Sequence, residues 1–171
     1  MSSDGLTRLN AMPYEHAVAM LLQCCGSPDW AERVAAARPF DDEDALFHSA
    51  ERVWQTLPLD AVREAFDAHP RIGERKAAAP QTAAAQAWSE HEQAGMRNAA
   101  PDMAAEMASL QAEYEARFGH IFLICASGRS ADEMLAALRA RLRNDPVTEM
   151  RIAAEEQRMI TRLRLERLVG S

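Results

Sequence analysis

An all-α fold is predicted by two features of this 171-residue sequence, its composition and its helix-start signals. Alanine, leucine, glutamate and arginine dominate the chain while β-branched residues are sparse, which favours helices over strands. Proline, serine or aspartate repeatedly precedes an amphipathic segment, as at the start of a helix. Because 48% of the residues are apolar, the chain can bury its own core, and we expect a single compact domain of about eight helices over residues 1–171.

The predicted helix starts follow one another along the whole chain. In order, they are marked by Pro13, Ser27-Pro28, Asp41-Asp42, Asp60, Gln81, Pro101, Ser130 and Asp145-Pro146. Two of them are strengthened by capping signals, since Ser130 and Glu133 have the spacing of a capping box and Asp145 directly precedes a proline. From Pro146 the pattern runs unbroken to about Leu168, which predicts a long C-terminal helix.

That C-terminal helix carries an apolar stripe formed by Ile152, Met159, Ile160 and Leu163. The stripe either braces the domain or faces a second subunit. One other segment, residues 118–130 (FGHIFLICASGRS), departs from the helical pattern, because its apolar middle has no polar interruption and is expected to be buried. It is either a short extended piece or the apolar end of a helix, and the glycines at its two ends favour the extended form.

Charge and cysteine content exclude several classes of protein. The 26 acidic and 19 basic residues give a formal net charge of −7, which disfavours nucleic acid and anionic lipid as partners. The three cysteines have neither zinc-site spacing nor the even number of a disulfide framework, so a reducing cytoplasm is the expected location. The N-terminal segment lacks the features of a secretion signal, and no apolar run is long enough to span a membrane.

Residues 67–96 contain most of the candidate chemistry. His69-Pro70 is expected where a helix ends, because proline disfavours helical geometry in the residue before it. On the next helix, Ser89, Glu92 and Gln93 share one face at i, i+3 and i+4. The simpler alternatives are a histidine that interacts with a helix dipole and an ordinary solvated face, although the neighbouring Trp88 and Gly95 favour contact with protein.

Arg129 is the last candidate, at the predicted start of a helix, where its side chain and free backbone N–H groups could hold an anionic or carbonyl-rich ligand. The alternative is an exposed loop arginine. The sequence does not match a zinc-binding helix of the His-Glu-x-x-His type, because Gly95 occupies the position of the second histidine. No metal is expected. The set therefore fits acid–base chemistry on a small polar substrate without a cofactor.

The order of these motifs resembles a known family. AHPRIGE around His69, SEHEQAG from Ser89 to Gly95, FGHIFLICASGRS, LRARLRND and EMRIAAEEQRMITRLRLERL together look like the 2-oxo-4-hydroxy-4-carboxy-5-ureidoimidazoline (OHCU) decarboxylases. The resemblance runs from about Leu9 to Leu168. Many relatives have an acidic residue and leucine after His-Pro, whereas this chain has Arg71-Ile72, a difference at the expected rim of the pocket.

The resemblance implies an all-helical homodimer that needs no metal or organic cofactor. It implies a carboxy-lyase that converts the ureidoimidazoline to (S)-allantoin and carbon dioxide in urate degradation. His69 and Glu92 match the catalytic pair. The positions that would hold the substrate are Pro70, Ser89, Gln93, Gly119, Ile121 and Arg129, with the stretch from Gly119 to Ile121 contributing backbone N–H groups.

Two other functions remain open at this point. A non-enzymatic helical dimer could bind a partner through the long C-terminal helix, and it predicts that Ser89, Glu92 and Gln93 face water. A cofactor-free ring hydrolase of purine or pyrimidine catabolism would use similar residues but would need a positioned water. Product analysis separates the hydrolase from the decarboxylase.

Overall fold

The helical prediction is confirmed by a computed structural model, which describes residues 3–74, 77–79 and 81–170. Within these residues the chain forms nine α-helices, one short 3-10 helix and no strand. The α-helices are α1 Asp4–Ala11, α2 Tyr14–Leu22, α3 Pro28–Ala36, α4 Glu43–Thr56, α5 Leu59–Asp67, α6 Ala83–Glu92, α7 Pro101–Phe118, α8 Ala131–Arg141 and α9 Pro146–Val169, and the 3-10 helix is Ala94–Met96. The count exceeds the predicted eight because α1 was not predicted.

Local capping explains most of the helix starts. The side chains of Ser27 and Asp42 accept hydrogen bonds from the first turns of α3 and α4, and the capping box between Ser130 and Glu133 is formed in full. Helix α6 begins two residues after Gln81, because the Thr82 hydroxyl provides its cap by accepting from Ala85 N. The long C-terminal helix is confirmed.

The described residues divide into two compact units. One unit consists of the chain up to Ala65 together with the part of α9 from Arg158 onward. Its core includes the fully buried Trp30, whose indole N–H donates to the Ala50 carbonyl at 3.0 Å. Because the indole N–H has this partner, the ring is buried between α3 and α4 without an unpaired polar group.

The second unit is Phe66–Gln157, and it contains every candidate site residue. Its core is built mainly from α7, α8 and the segment after α7, with Tyr114, Phe122 and Met134 at its centre. The buried Glu149 carboxylate accepts hydrogen bonds from the Tyr114 hydroxyl at 2.5 Å and from Arg141 Nε at 2.7 Å. A buried charge needs such partners, so this network ties the start of α9 to α7 and α8.

The segment between α7 and α8 is non-helical, as the glycines at its ends predicted. Gly119 and Gly128 both have φ of +76°, a left-handed conformation that glycine adopts without steric cost. Between them, the Leu123 carbonyl accepts a hydrogen bond from Arg141 at 2.6 Å, which replaces the helical bond that this backbone lacks. The alternative that this segment is the apolar end of a helix is therefore wrong for residues 119–130, which are non-helical.

Among the described residues, no helix combines the length and apolarity that crossing a membrane would require. That one domain spans residues 1–171 stays a prediction.

Candidate active site

His69 lies on the corner that follows α5. The helix ends at Asp67, and His69 and Pro70 are both buried, with His69 only 7% exposed. The chain beyond them is clamped by the buried Gln111 of α7, whose carboxamide accepts from Ile72 N at 3.0 Å and donates to Ile72 O at 2.9 Å. Because a glutamine satisfies both backbone groups of one residue, the loop after His69 has a fixed path.

Ser89 and Glu92 lie in the last turn of α6 and are 3% and 9% exposed. The alternative of a solvated face is therefore wrong for both residues. The partner-binding hypothesis also predicted that these two residues face water, and that prediction is wrong as well. Gln81 connects this helix to the His69 corner, since its amide group donates to Ala68 O at 2.8 Å and to Ser89 Oγ at 3.4 Å. The structure thus brings the two polar ends of residues 67–96 together.

Gln93 is the cap of α6 and lies just beyond its last helical residue. Its carboxamide oxygen accepts a hydrogen bond from Gly73 N at 2.8 Å, a second tie between α6 and the loop after His69. Since the oxygen is engaged with the backbone, the NH₂ group is the part of this side chain that offers donors to a ligand.

Arg129 lies between the segment after α7 and the capping box of α8. Its Nε donates to the Cys125 carbonyl at 3.1 Å, and its side chain is half-buried. Gly95 packs directly against the Arg129 backbone, because a Cβ atom at position 95 would overlap the Arg129 carbonyl oxygen. The glycine is required there by close approach, and this contact connects the 3-10 helix after α6 to the residues just before α8.

The electrostatic environment of Cys125 shows which charges converge here. Burial raises the pKa of the Cys125 thiol, and the carboxylates of Glu156 and Glu92 raise that pKa further, whereas Arg129 lowers it. The Cys125 thiol therefore interacts electrostatically with three charged groups, the carboxylate of Glu92 on α6, the carboxylate of Glu156 on α9 and the guanidinium of Arg129 before α8. The site combines a buried histidine with charges of both signs.

Two of the residues that contact this site were not predicted from the sequence. Gln157 Oε1 lies 2.7 Å from His69 Nε2, and Glu156 Oε2 accepts from Cys125 N at 2.9 Å. Both belong to α9, and both are buried. A signal for Glu156 exists, because it falls on the apolar stripe of α9 between Ile152 and Met159, where a carboxylate needs a partner.

Gly119 and Ile121 lie at the entry of the segment after α7. Gly119 caps α7 and Ile121 is buried, with its carbonyl accepting from His120 Nδ1 at 3.0 Å. That their backbone N–H groups reach a ligand stays a prediction, as do the roles of Pro70 and the other site residues. In the described part of the chain, no three His, Cys, Asp or Glu side chains cluster as a metal site would require.

Comparison with known proteins identifies one family. The family model described as OHCU decarboxylase matches residues 10–166. A protein of Amia calva named 2-oxo-4-hydroxy-4-carboxy-5-ureidoimidazoline decarboxylase is 30% identical over 167 residues, which cover 96% of this chain and 94% of that protein. The Arabidopsis thaliana uric acid degradation bifunctional protein TTL is 33% identical over 145 residues, covering 85% of this chain but 45% of that protein.

A solved structure has the same fold. The crystal structure of an OHCU decarboxylase in the presence of (S)-allantoin superposes with a TM-score of 0.76 and 33% sequence identity, covering 88% of this chain and 96% of that one. The similarity thus extends over nearly the full length of both chains.

Proposed function

We propose that this chain, which belongs to the OHCU decarboxylase family, is a carboxy-lyase that converts 2-oxo-4-hydroxy-4-carboxy-5-ureidoimidazoline to (S)-allantoin and carbon dioxide in urate degradation. The observation that carries this proposal is the family match over residues 10–166, which takes in every candidate site residue. The small-molecule substrate would occupy the second unit, beside His69 and Glu92.

The chemistry of the substrate sets what the site must do. When the carboxylate leaves as carbon dioxide, the electron pair of the broken carbon–carbon bond passes to the adjacent ring imine, whose nitrogen takes up a proton. The resulting enol then loses its hydroxyl proton while the neighbouring carbon gains one, which yields the ring carbonyl and the new C–H centre. Because the substrate's own imine accepts the electrons, the reaction needs no metal or organic cofactor.

The residues are assigned to these steps by their chemical type. In this proposal Arg129 and backbone N–H groups polarise the ring acceptors, while His69 and Glu92 manage the proton on the hydroxyl or at the new C–H centre. Ser89, Gln93, Pro70, Gly119 and Ile121 hold the ring. Proton delivery to one face explains why one enantiomer forms, since decay in water has no facial preference.

The burial of His69 and Glu92 supports this assignment. Both residues are below 10% exposed, so a proton held by either is shielded from exchange with bulk water. The opposing charges of Glu92 and Arg129 around Cys125 also suit a substrate with a carboxylate at one end and carbonyl groups elsewhere.

We also propose that the protein is a cytoplasmic homodimer and that the two units act as parts of one domain. Three free cysteines support a reducing compartment. The half-buried Met159 and Leu163 on α9 leave apolar surface for a second copy of the chain. The family match includes residues of both units, which supports a single domain. Sedimentation equilibrium would decide the oligomeric state.

The decisive experiment generates the unstable substrate in place. Urate, urate oxidase and 5-hydroxyisourate hydrolase produce the ureidoimidazoline, the protein is added, and substrate decay and product chirality are followed by circular dichroism. Faster decay with accumulation of (S)-allantoin supports the decarboxylase. Decay at the spontaneous rate with racemic product, from a folded sample, refutes it, and a product that retains the carboxylate would indicate a hydrolase.

A further inference from the structure

His69 has a neutral partner in α9. Its Nε2 atom lies 2.7 Å from Oε1 of Gln157, a residue 88 positions further along the chain. Gln157 is fully buried and His69 is 7% exposed, so the contact is shielded from solvent. A hydrogen bond of this length in a buried setting fixes the orientation of both side chains.

The partner atom determines the protonation of the ring. A carboxamide oxygen can only accept a hydrogen bond, so the proton must be on Nε2 of His69. A neutral imidazole carries one proton, which leaves the lone pair on Nδ1. The contact therefore selects one of the two neutral forms of the histidine and decides which nitrogen can take up a further proton.

Gln157 is placed on a rigid element. It lies in the interior of the 24-residue helix α9, directly after Glu156, which accepts a hydrogen bond from Cys125 N. A glutamine, unlike a glutamate, selects the Nε2–H form without adding negative charge that would favour the imidazolium. Adjacent residues of one helix thus position the histidine and the segment after α7.

We propose that Gln157 is a positioning residue that holds His69 in the Nε2–H form, so that Nδ1 is the atom that exchanges a proton with the substrate. This inference rests on the proposed function. It assigns no contact between Gln157 and the substrate, so its effect on turnover passes through His69.

The test reads the ring nitrogens directly. Protein labelled with ¹⁵N-histidine is studied by long-range ¹H–¹⁵N NMR without substrate, and the His69 signals are assigned by their loss in His69→Asn. The wild-type protein should show Nε2 protonated and Nδ1 unprotonated at alkaline pH, and Gln157→Met should show a mixture of the two neutral forms. Gln157→Glu retains an acceptor oxygen and should keep Nε2 protonated.

Kinetics give the second readout. Gln157→Met should lower kcat by on the order of 10²-fold, the lower range of general acid–base effects, while KM stays within about threefold of wild type. Gln86→Met, at a half-buried position of α6, is the matched control and should leave the His69 spectrum unchanged. If Gln157→Met fails to fold, the wild-type spectrum and Gln157→Glu still decide the protonated nitrogen.

The outcomes separate this inference from the function on which it rests. An active wild-type enzyme whose His69 carries its proton on Nδ1 would overturn the inference alone. So would a folded Gln157→Met protein with an unaltered His69 spectrum and unaltered kcat. A wild-type protein with Nε2 protonated but without decarboxylase activity would instead overturn the proposed function, and with it the role of Nδ1 in turnover.

Discussion

Glu156 accepts a hydrogen bond from the backbone nitrogen of Cys125, with its Oε2 atom at 2.9 Å. The carboxylate is 9% exposed, so the N–H group provides part of the compensation for its burial. In return, Glu156 fixes the segment after α7 at the point where the Cys125 carbonyl accepts from Arg129. One residue of α9 therefore holds the backbone from which the site arginine is positioned.

Removing the charge of Glu156 should make Cys125 more reactive. Burial raises the pKa of Cys125 above its ordinary 9.0, and the carboxylates of Glu156 and Glu92 add to the effect. Glu156→Gln keeps an acceptor for Cys125 N but removes one charge, so the pKa of the thiol should fall. Because the thiolate is the reactive form, the alkylation rate of Cys125 by iodoacetamide should rise at a fixed pH near 8.

Mass spectrometry of the Cys125 peptide measures this rate as a function of pH, and Cys24 and Cys25 do not compete because they are buried. Glu155→Gln removes a charge from an exposed neighbouring position and should not change the alkylation profile. Arg129→Gln should shift it in the opposite direction, since Arg129 lowers the pKa. An unchanged profile in Glu156→Gln would show that its carboxylate does not act on this thiol.

Gly95→Ala should displace the backbone of Arg129 and so disturb the candidate site. The added Cβ atom would overlap the carbonyl oxygen of Arg129, and a backbone atom cannot yield as the end of a flexible side chain can. We expect the free energy of unfolding to fall by about 1–3 kcal/mol, as for other overpacked positions, and kcat/KM to fall as Arg129 is displaced.

Urea unfolding and the decarboxylase assay measure the two effects of Gly95→Ala. Gly128→Ala is the control for backbone strain alone, because Gly128 has φ of +76° and open space around its Cβ position. It should cost about 1–2 kcal/mol. Wild-type stability and kinetics in Gly95→Ala would contradict the close packing of Gly95 against Arg129.

The helix starts were predictable because capping is local. Ser27, Asp42 and Ser130 each bond to a backbone N–H three residues ahead, so the whole signal lies within one turn of sequence. Helix α1 was not predicted although Ser3 caps it in the same way, because an eight-residue helix offers little amphipathic pattern beside its cap.

Candidate site residues could be proposed from the sequence only where they lie in short family motifs. His69, Ser89 and Glu92 fall within residues 67–96, whereas Gln157 reaches His69 from 88 positions away. Helical periodicity places Gln157 on α9 but does not say which element that face of the helix meets. Such a pair depends on tertiary packing, and a single sequence carries no record of it.

Tyr114→Phe should reduce the loss of stability at alkaline pH. Burial, together with the hydrogen bond to Glu149, raises the pKa of Tyr114 far above its ordinary 10.0. In the unfolded chain this tyrosine loses its proton above pH 10 while the folded protein retains it, so the free energy of unfolding falls as pH rises. Without the hydroxyl, this fall should be shallower by up to about 1.4 kcal/mol per pH unit.

Urea unfolding between pH 8 and about pH 11 measures this slope. Part of the slope should remain, because burial raises the pKa of Cys25 to about 11 and acts in the same direction. At neutral pH, Tyr114→Phe should cost about 1–3 kcal/mol through the lost bond to Glu149, whereas Tyr14→Phe, at a residue that is 47% exposed, should cost less than about 0.5 kcal/mol. A slope equal to that of the wild type in Tyr114→Phe would disprove the role of this tyrosine.

Glu92→Gln should change the pH–rate profile and leave α6 intact. The substitution keeps the shape of the side chain at a buried position but removes the carboxylate that we assign, together with His69, to proton transfer. The profile of kcat against pH measures this change, and Glu90→Gln, at an exposed position of the same helix, is the control. If the Glu92→Gln profile matched the wild-type profile, Glu92 would have no place in the acid–base pair.

His69→Asn should abolish most of the turnover without unfolding the protein. Asparagine cannot exchange a proton near neutral pH, so the rate should fall by about 10²- to 10⁴-fold, the usual contribution of a positioned acid or base. His91→Asn is the matched control, because His91 lies on the same stretch of chain but is exposed on α6, and its rate should equal that of the wild type. Circular dichroism establishes that both variants are folded before the assay with freshly generated substrate. A folded His69→Asn protein that decarboxylates at the wild-type rate would remove His69 from the reaction, and the assignment of proton transfer would have to move to the carboxylates around Cys125.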